Sequence, residues 1–240
     1  MATFVLVPGS MCGGWLWQPL VPLLRVAGHD VYPVTLTGYG ERAHLASAAV
    51  DLDTHITDLV NLLYFEDLQG VILVGHSAAS MAIAGAADRI PERVRRLVYL
   101  DAAIARDGES YDDVWSIGPR PADPELEWQL PVPFPEDDAH RIFPDMAVED
   151  IPWAYARLTP RLIKMMIQPI ELTNPLLADI PRTYIFCTKN WEWDDLDNPL
   201  PADVLRARTD PEWDFRELDA DHLPMFTRPG ELADLLLTLA

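Results

Sequence analysis

Short continuous apolar runs recur along this chain: T-F-V-L-V over Thr3–Val7, V-I-L-V over Val71–Val74, L-V-Y-L over Leu97–Leu100 and T-Y-I-F-C over Thr183–Cys187. Runs of this length, without alternation, read as strands buried on both faces. Asp30–Thr35 and Trp213–Leu218 read as two further strands. Between the runs the spacing changes to a helical one. Apolar residues at 52, 56, 59, 60 and 63 mark one face of a helix from about Asp51 to Phe65, with Asp51 as its N-cap. Trp15 to Ala27, closed by Gly28, residues 78 to 89, and the chain from Pro229 onward read as further helices. Leu232, Leu235, Leu236 and Leu239 form the buried side of the last one. Strands alternating with helices predict an α/β protein: a doubly wound, mostly parallel sheet. Ligands bind such sheets beyond the carboxyl ends of the strands.

The alternation stops between residues 102 and 180. Eleven of the chain's 22 prolines fall there, with Tyr111, Trp115, Trp128, Phe134, Phe143, Trp153, Tyr155, Met165 and Met166. A structureless loop of that length is uncommon in a compact domain, and aromatic residues seek burial. The sequence therefore predicts an α/β core over 1–104 and 181–240 and a helical cap over 105–180, with short helices at Ile151–Arg157 and Pro160–Ile167. Trp128 and Trp153 are expected to line a pocket beneath this cap, with Met11 and His76 from the core.

At the carboxyl end of the third strand the chain reads Gly75-His76-Ser77-Ala78-Ala79. This is the G-x-S-x-G elbow with alanine in the last position, a sharp strand-to-helix turn that lifts one side chain above the sheet. Positions 75 and 79 must be small because two backbones pass closely there. A serine hydroxyl needs an adjacent base to act as a nucleophile. His222, on the loop between the last strand and the last helix, is the best placed. His29, His44, His55 and His140 sit near helix ends and turns, and His76 is expected to point away from Ser77. The backbone N–H of Ala78 opens the elbow helix, and a second N–H from the glycine-rich loop after the first strand, at Ser10 or Met11, would complete an oxyanion hole.

Several stretches together resemble the α/β-hydrolase superfamily: F-V-L-V-P-G-S-M-C-G-G-W-L-W (4–17), T-G-Y-G-E-R-A-H-L (37–45), V-G-H-S-A-A-S (74–80), L-V-Y-L-D-A (97–102), Y-I-F-C-T (184–188) and E-L-D-A-D-H-L-P-M (217–225). They are similar to the branch that holds plant methyl esterases, hydroxynitrile lyases and bacterial pyrethroid-type carboxylesterases. The resemblance implies the α/β-hydrolase fold, Ser77 as nucleophile, His222 as base, and the amides of Ser10 and Ala78 as oxyanion hole. Pro8-Gly9 stands where the loop usually begins His-Gly, which removes an N–H. Leu223 follows the histidine where lyase members carry lysine, which argues against cyanohydrin chemistry. The acid usually follows C-T-x, but this chain reads Cys187-Thr188-Lys189-Asn190. An amide can orient an imidazole but cannot balance its charge. The sequence leaves the acid open between Asp101, at the end of the neighbouring strand, the group Glu192, Asp194, Asp195 and Asp197, Asn190 itself, and no acid at all.

The net charge of −20, from 38 acidic against 18 basic residues, opposes binding to nucleic acid or anionic membrane. Cys12 and Cys187 form neither a disulfide framework nor a metal-ligand spacing, and no metal or cofactor is expected. No apolar run is long enough to span a bilayer, and no basic n-region precedes the first strand, so a cytoplasmic protein is expected. A homodimer is compatible with the sequence. The leading expectation is a serine carboxylesterase acting on a bulky, apolar or aromatic small-molecule ester. The alternatives are cyclase- or lyase-type chemistry in the same pocket, motivated by Asn190, and a ligand-binding protein without turnover.

Overall fold

The computed structural model describes residues 1–116, 118, 122–189 and 200–240. Its strands are β1 (Thr3–Val7), β2 (Asp30–Pro33), β3 (Val71–His76), β4 (Val94–Leu100), β5 (Gln129–Leu130), β6 (Arg161–Leu162), β7 (Arg182–Cys187) and β8 (Trp213–Leu218). Six of them form one sheet in the order β2-β1-β3-β4-β7-β8, and every pairing in it is parallel. β5 and β6 form a separate antiparallel pair. The helices are α1 (Val21–Val26), α2 (Leu52–Phe65), α3 (Ala79–Arg89), α4 (Tyr111–Val114), α5 (Ala139–Ile142), α6 (Ile151–Tyr155), α7 (Ile163–Ile167), α8 (Ala202–Thr209), α9 (Pro224–Thr227) and α10 (Pro229–Leu237).

Local chemistry fixes where these elements begin. The Asp51 carboxylate accepts from the Thr54 backbone N–H at 2.8 Å, closing a capping box at the head of α2; such a cap contributes about 1 kcal/mol. The expected helix over Trp15–Ala27 is instead a 3₁₀ turn, Gly14–Trp17, followed by α1. Pro22 has no N–H to donate one turn back, so it fits only within the first turn of α1.

The sheet is apolar on both faces and separates two cores. On one side α2 and α3 pack Ile56, Leu59, Met81 and Ile83 against Val5, Leu73 and Leu97. On the other, α1 and α10 pack Leu24, Leu232 and Leu236 against Phe4, Ile72 and Val98. Residues 105–180 contribute to both: Tyr111, Trp115, Leu162 and Met165 join the first core, and Ala139, Met146, Ile151 and Ala154 the second. That segment therefore straddles the carboxyl edge of the sheet. Within it, α6 ends at Tyr155 rather than Arg157. The expected helix over Pro160–Ile167 begins only at Ile163, because Arg161–Leu162 is drawn into pairing with β5.

α8 has no counterpart in the sequence reading. It buries only Asp203, Val204 and Ala207, too thin an apolar stripe to give a periodic signal. No helix among the described residues is long and apolar enough to cross a membrane.

Candidate active site

Ser77 stands between β3 and α3 with φ +52°, in the left-handed region that costs a non-glycine residue free energy. The turn is held by the Ser77 N–H donating to Leu100 O at 3.1 Å and by the tight packing of Gly75. A Cβ at Gly75 would lie 2.8 Å from Ile83 Cδ1 on α3, so helix and strand approach as closely as the elbow pattern requires.

Asp101 repeats the same device one strand over. It ends β4 with φ +45° and is fully buried. Its N–H donates to Ile185 O at 2.8 Å, and its Oδ1 accepts from the Cys187 N–H at 3.3 Å. Its Oδ2 lies 2.6 Å from His222 Nδ1. A carboxylate at that distance makes Nδ1 the proton-bearing nitrogen and leaves the lone pair on Nε2. Among the described residues, Asp101 is the candidate acid that meets His222. Asn190, Glu192, Asp194, Asp195 and Asp197 lie outside the described residues.

The His222 loop is fixed by a second carboxylate. Asp221 is fully buried and accepts from the Leu223 N–H and the Thr227 hydroxyl, both at 2.9 Å, and from the Asp145 N–H at 3.2 Å. Burial pushes its pKa up, and these donors partly offset that. Asp221 is directed to backbone and hydroxyl groups, and so aims the loop that carries His222.

His76 has a larger part than the sequence suggested. Its Nε2 donates to His222 O at 2.8 Å, and its Nδ1 accepts from the Gly9 N–H at 3.3 Å. The two contacts require the neutral Nε2–H tautomer. Burial, followed by the neighbouring His222, holds its pKa well below the usual histidine value. One imidazole thereby ties the loop after β1, the elbow and the His222 loop together, while also lining the cavity.

That loop carries the candidate oxyanion donors. The Met11 amide faces the Tyr39 hydroxyl, and its carbonyl accepts from the N–H and hydroxyl of Thr159 at 2.9 and 3.0 Å. The amides of Ser10 and Ala78 have no acceptor within the protein among the described residues. Ala78 follows Ser77 in the chain, and Ser10 follows Gly9, where an added Cβ would lie 2.9 Å from Ser77 Cβ.

Ser77 and His222 open into one cavity of about 320 Å³, whose lining also includes Ser10, Met11 and His76. Its walls are mostly apolar, with Trp15, Tyr111, Trp115, Phe134, Phe143 and Tyr155 as the aromatic surface. Two expected pocket residues are absent from the lining. Trp153 instead stacks on Phe226 with ring centroids 5.8 Å apart, packs edge-on against Trp15, and lies under the Arg157 guanidinium. Trp128 packs against the core beside α2 and α3, and its carbonyl accepts from the Ile163 N–H. Trp115, missed as a pocket residue, is anchored by its indole N–H donating to buried Asp203 at 3.3 Å. Its place carries no periodic signal, since α4 is a single turn. Cys12 also lines the cavity, but burial pushes its thiol up to about 12, which leaves it protonated and inert near neutrality. No group of three or more metal-ligating side chains occurs among the described residues.

Comparison with known proteins agrees with this geometry. A model of the alpha/beta hydrolase family matches residues 4–235. The carbendazim hydrolyzing esterase of Nocardioides sp. (strain SG-4G) is 34% identical over 256 residues, covering 100% of both chains. Salicylic acid-binding protein 2 of Nicotiana tabacum is 28% identical, covering 99% of this chain and 96% of its own. Among solved structures, the methylesterase MES16 from Arabidopsis superposes with a TM-score of 0.79 at 26% identity, covering 100% of this chain and 98% of that one. The chain belongs to the alpha/beta hydrolase family, as a carboxylic ester hydrolase of its methylesterase-like branch.

Proposed function

We propose that the protein hydrolyses carboxylic esters of bulky, apolar or aromatic small molecules through Ser77, His222 and Asp101. The observation that carries this reading is the 2.6 Å contact between Asp101 and His222 Nδ1, on a histidine that shares its cavity with Ser77. His222 Nε2 takes the Ser77 proton as Oγ attacks the ester carbonyl. The oxyanion is received by the amides of Ser10 and Ala78. His222 returns the proton to the departing alkoxide, leaving an acyl-serine and a free alcohol. A water then gives its proton to His222 and attacks the acyl carbon, releasing the acid and restoring the Ser77 hydroxyl. Asp101 stays ionised throughout and stabilises the imidazolium.

The aromatic walls supply an apolar surface for the substrate body. The relatives named methylesterases support methyl esters as the first class to assay. With Asp101 at His222, the amide at 190 no longer motivates a non-hydrolytic reading. Stopped-flow turnover of p-nitrophenyl butyrate tests the proposal: a p-nitrophenolate burst stoichiometric with enzyme is expected. A protein inactive on such esters, or a rate unchanged by Ser77→Ala, would reject it.

A further inference from the structure

The cavity contains one formal cation and no carboxylate: among the described residues that line it there is neither Asp nor Glu, and Arg161 is the only Lys or Arg. The chain has net charge −20, and several of its other arginines meet acids, as Arg42 meets Asp58, Arg93 meets Asp67, and Arg228 meets Asp145. The Nε–H of Arg161 is buried and has no acceptor. A guanidinium cannot lose its charge, so the cavity wall keeps a cation that no carboxylate among the described lining residues balances.

Arg161 is also held in place. Its strand β6 pairs with β5, the Leu162 N–H donates to the Tyr39 hydroxyl at 3.3 Å, and Thr159, two residues earlier, makes two hydrogen bonds to the Met11 carbonyl. The segment that presents the guanidinium is thus fastened to the loop that carries the Ser10 amide. The placement is rigid, on the oxyanion side of the cavity.

The geometry points to Arg161 as a specificity residue that selects esters whose apolar body also bears a carboxylate, the half-esters of dicarboxylic acids. A guanidinium matches a carboxylate in planar, charge-assisted hydrogen bonding, and a single fixed positive charge in an apolar wall balances a single negative one. A phosphate dianion would find only half its charge met. This inference rests on the ester-hydrolase reading for its biological meaning, but binding tests it without turnover.

The test is calorimetric titration of the Ser77→Ala protein with monomethyl suberate and with dimethyl suberate. The half-ester is expected to bind about 10- to 100-fold more tightly, the range for a charge-assisted hydrogen-bonded pair. Adding Arg161→Met should erase the difference, and Arg161→Lys should keep part of it. Arg161→Gln replaces Arg161→Met if the latter does not fold. Equal binding of the two ligands, or a preference that survives loss of the guanidinium, would overturn the proposal. In the Ser77-containing enzyme, Arg161→Met should lower kcat/KM for the half-ester, relative to that for the dimethyl ester, by the same factor. A wild-type enzyme inactive on p-nitrophenyl acetate would instead count against ester hydrolysis, with the calorimetry still deciding the role of Arg161.

Discussion

Asp101 and His222, 121 residues apart in the chain, meet with Oδ2 and Nδ1 at 2.6 Å above the carboxyl edge of the sheet. This carboxylate stands at the end of β4, beside the elbow strand. Asp101→Asn would keep the shape and remove the charge that balances an imidazolium. The expected loss in kcat is about 10³- to 10⁴-fold, as for the amide replacement in a serine triad. Steady-state kinetics with p-nitrophenyl butyrate measures it. Glu192→Gln and Asp194→Asn should each leave kcat within about threefold, since neither carries the imidazolium in this account. A collapse with either of those, and none with Asp101→Asn, would move the acid elsewhere.

His76 is buried neutral, with its pKa lowered by burial and then by His222. In the unfolded chain it takes up a proton near pH 6.5; in the folded protein it resists. Stability contributed this way is present above pH 6.5 and lost as pH falls through the folded value. His55, also lowered by burial, acts in the same direction. Asp203 and Asp221, raised by burial, act oppositely, and their contribution grows as pH falls toward 3.8. Urea unfolding at pH 7 and pH 5.5 should show stability falling by at most about 1.4 kcal/mol per pH unit for each proton taken up on unfolding. His76→Gln should flatten that slope. It should also lower kcat, since the link between Gly9 and His222 O is altered. An unchanged slope would show that His76 does not titrate on unfolding.

The elbow makes two separable steric demands. A methyl group at Gly75 would meet Ile83 Cδ1, Cγ1 and Cγ2 at 2.8, 2.9 and 3.1 Å, all side-chain atoms. Gly75→Ala should destabilise by about 1–3 kcal/mol, the usual cost of overpacking, and Ile83→Val should recover part of it. A methyl group at Gly9 would meet Ser77 Cβ, His76 Nδ1 and His76 O at 2.9, 3.1 and 3.3 Å. Gly9→Ala should therefore reduce kcat by about tenfold or more, since small displacements at a reacting centre carry large rate penalties. Thermal melts alongside kinetics separate the two. Equal behaviour of the two variants would contradict the assignment.

Much of this arrangement was legible in the sequence because it rests on short-range rules. β1 coincides with the apolar run that announced it, β8 spans the Trp213–Leu218 strand read from the sequence, and Asp51 caps α2 as its residue type suggests. Ser77 was marked by the small residues that its turn requires. The acid was not legible: Asp101 and the 192–197 carboxylates are all acids near strand ends, and the parallel pairing of β4 with β7 and of β7 with β8 carries Asp101 to His222. The cavity wall was hidden for a different reason. Tyr111, Trp115 and Arg161 sit on single-turn or two-residue elements, whose placement depends on tertiary partners such as Asp203 and Tyr39 rather than on any period. Trp128 and Trp153, chosen as pocket residues for their size, are spent on packing.

Labelling with a fluorophosphonate probe, followed by intact mass and peptide mapping, tests the central claim most directly. One adduct per chain, located at Ser77, absent from Ser77→Ala and formed much more slowly in Asp101→Asn, is the predicted result. An unlabelled wild-type protein, or an adduct that persists in Ser77→Ala, would contradict the account.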